Sequence, residues 1–179
     1  MPKIIESLRE NILSESRRVL FESGYGALSI RKIAVSCNVA VGTIYNYFEN
    51  KDTIVANIMS EDWQKSLKEM AEKCELAQTA GEGFCAVFYA LREYEELYRP
   101  VFAQYSGTGD ALEIYGGRHR LLTGQIQKLL EKFLIRLGYA PDSLTAVAVE
   151  AILACAMHSE YGADSVTLLA ERLYPTANK

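Results

Sequence analysis

Apolar residues recur at helical spacing along nearly the whole chain, and the strict alternation of a half-buried strand is almost absent. This pattern restricts the fold class to all-α. Local signals then cut the pattern into elements. Ile5, Leu8, Ile12, Val19 and Leu20 lie roughly on one face of a first helix, predicted over 4–23, which "SGYGA" stops at Gly24. Ser29 can cap a short helix, "IRKIAVSC", by accepting a hydrogen bond from an unpaired N–H in its first turn. Asn50 can cap a long helix that runs through Trp63 to about residue 74. After the break "AQTAGEG" comes a helix to about residue 97, and Pro100 is expected to open a separate short one. "SGTGD" reads as a flexible link, and three more helices are expected over 111–137, 143–159 and 165–173.

The 179 residues suffice for one or two small domains with a hydrophobic core. No run of about eighteen apolar residues occurs, and the N-terminus "MPKIIESLRENIL" lacks a secretory core, so a cytoplasmic protein without a membrane segment is expected. Cys37, Cys74, Cys85 and Cys155 lie far apart, and the histidines are His119 and His158; no metal-ligand spacing arises. Nor is there a nucleophile–base pair or a phosphate-cradling glycine loop, so neither a cofactor nor enzyme activity is expected. The net charge of −4 is unevenly spread: residues 1–53 hold seven basic and six acidic side chains, leaving 12 and 17 in the remainder. Contact with a polyanion, if the chain makes one, belongs to this slightly basic head.

Residues 30–48 read as helix, tight turn, helix. Ala34 is small where the second helix must cross the first. Asn38 stands at the turn, where a left-handed backbone is often required and asparagine is one of the few tolerated alternatives to glycine. Val39 and Ile44 point back into a small core. This is the helix-turn-helix arrangement, in which the second helix enters the major groove by its N-terminal end.

The run "GYGALSIRKIAVSCNVAVGTIYNYFENKDTI", Gly24 to Ile54, resembles the TetR family of bacterial transcription regulators. Its Gly-Tyr opening, serine cap, Ile-Ala pair, turn, Gly-Thr-Ile-Tyr-x-Tyr-Phe core and Lys-Asp pair follow the family pattern over about the first third of the chain. Leu28 departs from a frequent threonine, Asn38 from a frequent glycine, and Val41 from a common basic or polar residue. The resemblance implies a helix-turn-helix DNA-binding domain over 1–52 and a helical ligand-binding and dimerisation domain over 53–179.

The DNA contacts expected from residue chemistry agree with that resemblance. Gly42 lets the start of the recognition helix approach DNA closely. Thr43 offers a hydroxyl and a methyl for a phosphate, a base edge or a thymine methyl. Tyr47 lies one turn on along the same face, and its hydroxyl can reach a phosphate. Tyr45 points elsewhere, toward a backbone phosphate or base edge; Val41 and Asn46 complete the presented set. Lys51 can hold a phosphate with the N–H groups of the next helix, and Ser29, Arg31 and Lys32 can do likewise around helix two. Phe48, on the face of Ile44, should lock the helix to its neighbours. Taken singly, a tyrosine is more often a core residue and a basic pair more often a solvated face; the whole run carries the reading.

One such head neutralises few phosphates, so specific binding calls for a homodimer on a roughly palindromic double-stranded operator. The helix around "SLTAVAVEAILACAMHSEYGADS" is rich in small residues, and Val147, Ala151, Ala154, Cys155, Met157 and His158 are its candidate dimer contacts; an internal core helix is the alternative. The resemblance implies pairing by the last helices in a four-helix bundle. Trp63, Phe84, Phe88, Tyr89, Tyr94, Phe102, Tyr115 and His119 are candidate contacts for a small apolar or aromatic effector, although a plain core is written with the same residues. A repressor released by such an effector is one reading. A ligand-independent DNA-binding protein whose body contacts a protein partner is the other.

Overall fold

The structure is a computed structural model, and it describes residues 6–105, 111–140 and 142–175; the side chains of residues 6, 105 and 111–118 lie outside the description, as does the "SGTGD" link at 106–110. The described residues form helices without a strand: α1 (Glu6–Ser23), α2 (Ile30–Ser36), α3 (Val41–Tyr45), α4 (Lys51–Leu76), α5 (Ala80–Tyr105), α6 (Ala111–Arg136), α7 (Leu144–Met157) and α8 (Ala163–Leu173), with a 3₁₀ turn at Tyr25–Ala27. They fall into two compact units. One comprises Met1–Trp63 and Pro100–Tyr105, the other Gln64–Arg99 and Ser106–Lys179. Helices α4 and α5 therefore contribute residues to both, and the first unit extends past residue 52 along α4.

In the first unit the expected stops and caps are in place. Gly24 ends α1 with φ +81°, a conformation that costs a side-chain-bearing residue steric strain. The Ser29 hydroxyl accepts from the Lys32 N–H at 3.2 Å, and Asn50 Oδ1 accepts from the Thr53 N–H at 2.8 Å. Asn38, at φ +53°, turns the chain between α2 and α3. That turn is closed by the Val39 N–H donating to the Ala34 carbonyl at 2.9 Å. Ile12, Leu20, Ile33, Ile44, Phe48 and Ile58 are buried at its centre. Arg17 donates to Asp62 at 2.6 Å and Arg9 to Asn57 Oδ1 at 2.7 Å, tying α1 to α4.

Pro100 corrects one expectation. It opens no separate helix but lies inside α5, which runs unbroken from Ala80 to Tyr105. Proline's fixed φ fits a helix, while its missing N–H and its ring cost about 3 kcal/mol there. Burial on either side of it offsets that cost: Tyr98 is fully buried in the second unit, and Val101 is buried in the first.

The second unit packs around Met70, Phe84, Phe88, Ile126, Leu130 and Ile152. Helices α5 and α6 meet at Gly83, where an added Cβ would lie 2.1 Å from the Phe133 ring; only glycine permits this approach. The start of α7 is held by Asp142, whose Oδ1 accepts from the Leu144 N–H at 2.9 Å. The Tyr174 hydroxyl reaches the same carboxylate at 3.0 Å and Thr145 Oγ1 at 3.0 Å, fastening the end of α8 to α7. Burial pushes the Tyr174 phenol above its usual range, so it acts here as a neutral donor.

Candidate nucleic-acid interface

Helix α3 is only five residues long, so its position depends on anchors rather than on its own stability. Ile44 and Phe48 supply them: both are buried, and the Arg9 guanidinium lies 5.6 Å from the Phe48 ring centroid. The rest of the segment faces outward. Val41 is 36% and Tyr45 55% exposed, Gly42 and Asn46 are exposed, and Thr43 and Tyr47 are half-buried. A Cβ placed on Gly42 would meet no atom within 4 Å, and its φ is not positive. Nothing inside the unit therefore demands glycine at 42. The N-terminal end of α3 offers a bare backbone beside a hydroxyl, with a phenol one turn on.

The same unit carries basic side chains on the neighbouring helices. Arg31 and Lys32 are exposed on α2. Lys51, at the first turn of α4, is half-buried, with its ammonium 3.9 Å from the centre of the Tyr25 ring. The Tyr25 hydroxyl donates in turn to Asp52 Oδ1. Arg18 is committed elsewhere: it donates to Glu15 at 2.6 Å and to Glu22 at 2.6 Å, and its hydrogen bond to Glu15 holds that carboxyl below the usual range. The Cys37 thiol is pushed up by burial, with the Glu15 charge adding to the effect, and stays neutral.

Two side chains escaped the sequence reading. Tyr25 was legible only as part of the Gly-Tyr opening, and its hold on Lys51 and Asp52 comes from the fold. Gln104 carried no signal: it lies 78 residues from Gly26, whose N–H it accepts at 3.0 Å through Oε1. That bond satisfies a donor of the 3₁₀ turn, which has no side-chain cap of its own.

Residues 12–58 match the sequence model for bacterial regulatory proteins of the tetR family. The chain carries a TetR-family N-terminal domain. Over 96 residues it is 30% identical to the HTH-type transcriptional regulator UidR of Escherichia coli strain K12, covering 54% of this chain and 45% of that protein. Over 76 residues it is 34% identical to a fatty acid metabolism regulator protein of Bacillus subtilis, covering 42% of this chain and 39% of that one. The chain thus spans less than half the length of these curated relatives. Among solved structures it is similar to Salmonella enterica GusR, with a TM-score of 0.70 at 16% identity over 98% of this chain and 100% of that chain. A TetR/AcrR-family regulator from Thermobifida fusca gives 0.61 at 20% identity, over 97% and 99%. At such identities the likeness speaks to the TetR-family fold.

The expected effector contacts are dispersed. Trp63 and Phe102 belong to the first unit, Trp63 buried and Phe102 half-buried. Phe84, Phe88 and Tyr94 are buried in the second unit. Tyr89 is 56% exposed and borders an open cleft of about 630 Å³ with Glu82, Cys85 and Thr167. His119 is exposed, its Nε2 2.9 Å from Glu150. Tyr115 has its side chain outside the described residues.

The expected dimer contacts lie on α7 or directly after it. Thr145, Ala148, Val149, Ile152 and Ala156 are the buried face of α7. Val147, Ala154 and Met157 are exposed on α7, with His158 just after it, and Ala151 and Cys155 are half-buried between them. Positions 147, 151 and 154 follow helical spacing, with Val147 and Ala154 exposed and Ala151 half-buried, so these three share one face of α7.

Proposed function

We propose that the protein is a DNA-binding transcription regulator that grips a two-fold operator as a homodimer, using the N-terminal end of α3 of each protomer. The observation that carries the proposal is the exposed Val41, Gly42 and Tyr45 and the half-buried Thr43 and Tyr47, on α3 and the turn that follows it, pinned from behind by Ile44 and Phe48 within the tetR-family match. In this reading Thr43 touches a base edge, and Tyr47, Lys51, Ser29, Arg31 and Lys32 hold phosphates that fix register. The face of α7 that carries Val147, Ala151 and Ala154 supports pairing of two protomers. A dimer seated on a promoter occludes polymerase, so repression needs no further machinery. Release by an effector requires that the ligand bind the DNA-competent and incompetent forms unequally.

The buried aromatic set Phe84, Phe88 and Tyr94 favours, taken alone, a second reading in which the body is a filled core that contacts a protein partner. The two readings share the DNA-binding half, and one experiment tests it. Fluorescence anisotropy with a selected operator and with base-substituted operators should show Tyr47→Ala weakening binding on all of them. Thr43→Ala should in addition lose about 1 kcal/mol of discrimination at one position of each half-site, the worth of one hydrogen bond. Parent-like affinity and preference in both variants would mean that another surface reads the DNA.

A further inference from the structure

Phe84, Phe88 and Tyr94 are buried in the second unit, and that unit has an apolar groove elsewhere, between the C-terminal half of α4 and the last turns of α6. It has a volume of about 450 Å³, within the usual range for small-ligand sites. Leu129, Phe133 and Ile135 wall it on the α6 side and Ala71 on the α4 side. Ile135 is 53% exposed and stands at the open side of the groove. From 129 to 136 at about 1.5 Å per residue, the groove runs for about 10 Å, the length of an extended chain of about eight carbons.

Its charge is one-sided. Among the described residues, Lys132 and Arg136 border it against one carboxylate, Glu75. Arg136 is fixed in place: its Nη2 donates to the Cys74 carbonyl at 2.9 Å and to the Ala77 carbonyl, and its guanidinium lies 5.4 Å from the Phe133 ring centroid. These bonds occupy one nitrogen, and a guanidinium carries five donors on three. The remaining wall adds no negative charge, because burial pushes the Cys74 thiol up to about 11, so it stays neutral. An apolar trough about eight carbons long with two cations at its edge fits a ligand with one apolar end and one anionic end.

We propose that this groove binds a medium-chain carboxylate, its alkyl tail against Leu129, Phe133 and Ile135 and its carboxylate on Lys132 and Arg136. This deepens the effector reading of the proposed function by naming the ligand's chemical class, and it moves the site away from the aromatic residues of α5. The head group sets specificity, because a neutral or cationic head of the same length leaves two cations unmatched.

The test is calorimetric titration of the full chain with octanoate, 1-octanol and octylamine, all below their aggregation limits. The expected result is saturable binding of octanoate, with octanol weaker by about tenfold and octylamine undetectable. Lys132→Gln should weaken octanoate by about tenfold and leave octanol unchanged. Ala71→Phe, which fills the trough from the α4 side, should abolish both, with circular dichroism checking that the fold survives. If that variant does not fold, the Lys132 comparison decides alone. Equal binding of the three probes, or octanoate binding untouched by Lys132→Gln, would overturn the proposal. Operator release is measured separately: octanoate that binds as described without changing DNA affinity leaves the groove assignment standing and removes the effector role, whereas absent binding with intact DNA recognition removes the groove alone.

Discussion

Residues 41–48 and residues 84–98 are both dense in aromatic side chains but differ in what covers them. In the first segment Phe48 is buried, Tyr47 half-buried and Tyr45 55% exposed. In the second, Phe84, Phe88 and Tyr98 are fully buried, and only Tyr89 stands out, at 56%. The contrast follows from helix geometry. Helix α3 has five residues and two anchors, so most of its surface has no neighbour within its unit. Helix α5 has 26 residues and neighbours along its length: Gly83 lies against the Phe133 ring of α6, the Phe84 ring sits edge-on to Tyr174 at 5.8 Å, and Arg92 donates to the Cys155 and His158 carbonyls. Aromatic density therefore does not distinguish a contact surface from a core; the length of the helix and the nearness of its neighbours do.

The largest effect that can break this contrast is on stability. Phe88→Ala should cost about 3–5 kcal/mol in denaturant unfolding, since it empties a fully buried site. Tyr45→Ala should stay within about 0.5 kcal/mol, as a surface change does. Comparable losses in the two variants would erase the distinction between core and surface aromatics. Next in size is Gly83→Ala. The new methyl must displace the Phe133 ring, and about 1–3 kcal/mol should be lost, read as a lower denaturation midpoint at unchanged m-value. A neutral result would show that α5 and α6 do not meet at this glycine. The smallest effect sharpens the comparison by charge. Lys51→Gln should reduce the slope of log affinity against log salt by about one for each protomer on DNA, while Lys128→Gln on α6 should leave it unchanged.

Much of the first unit was legible because its instructions are local. Gly24, Ser29, Asn38 and Asn50 each answer a backbone demand within a few residues, so the stops, the turn and the caps could be placed from sequence. The presented face of α3 was legible for the same reason, since two anchors at 44 and 48 leave the remaining positions outward. What escaped depends on distant partners. Gln104 reaches Gly26 across 78 residues, and Pro100 sits mid-helix because buried neighbours on both sides hold it there. In the second unit, periodicity located the helices but not what lies between them. The same spacing that could line a pocket buried Phe84 and Phe88, while a groove opened beside Leu129 and Ile135, which no local signal marks out.

The sharpest single measurement is selection of bound duplexes from a random DNA pool by the intact protein, followed by sequencing. Recognition by paired α3 helices should yield a two-fold symmetric motif, its half-sites centred about 10 base pairs or a small multiple of that apart, with the preference at one position of each half-site lost in Thr43→Ala. A motif without two-fold symmetry, or a symmetric one that Thr43→Ala leaves unchanged, would contradict it.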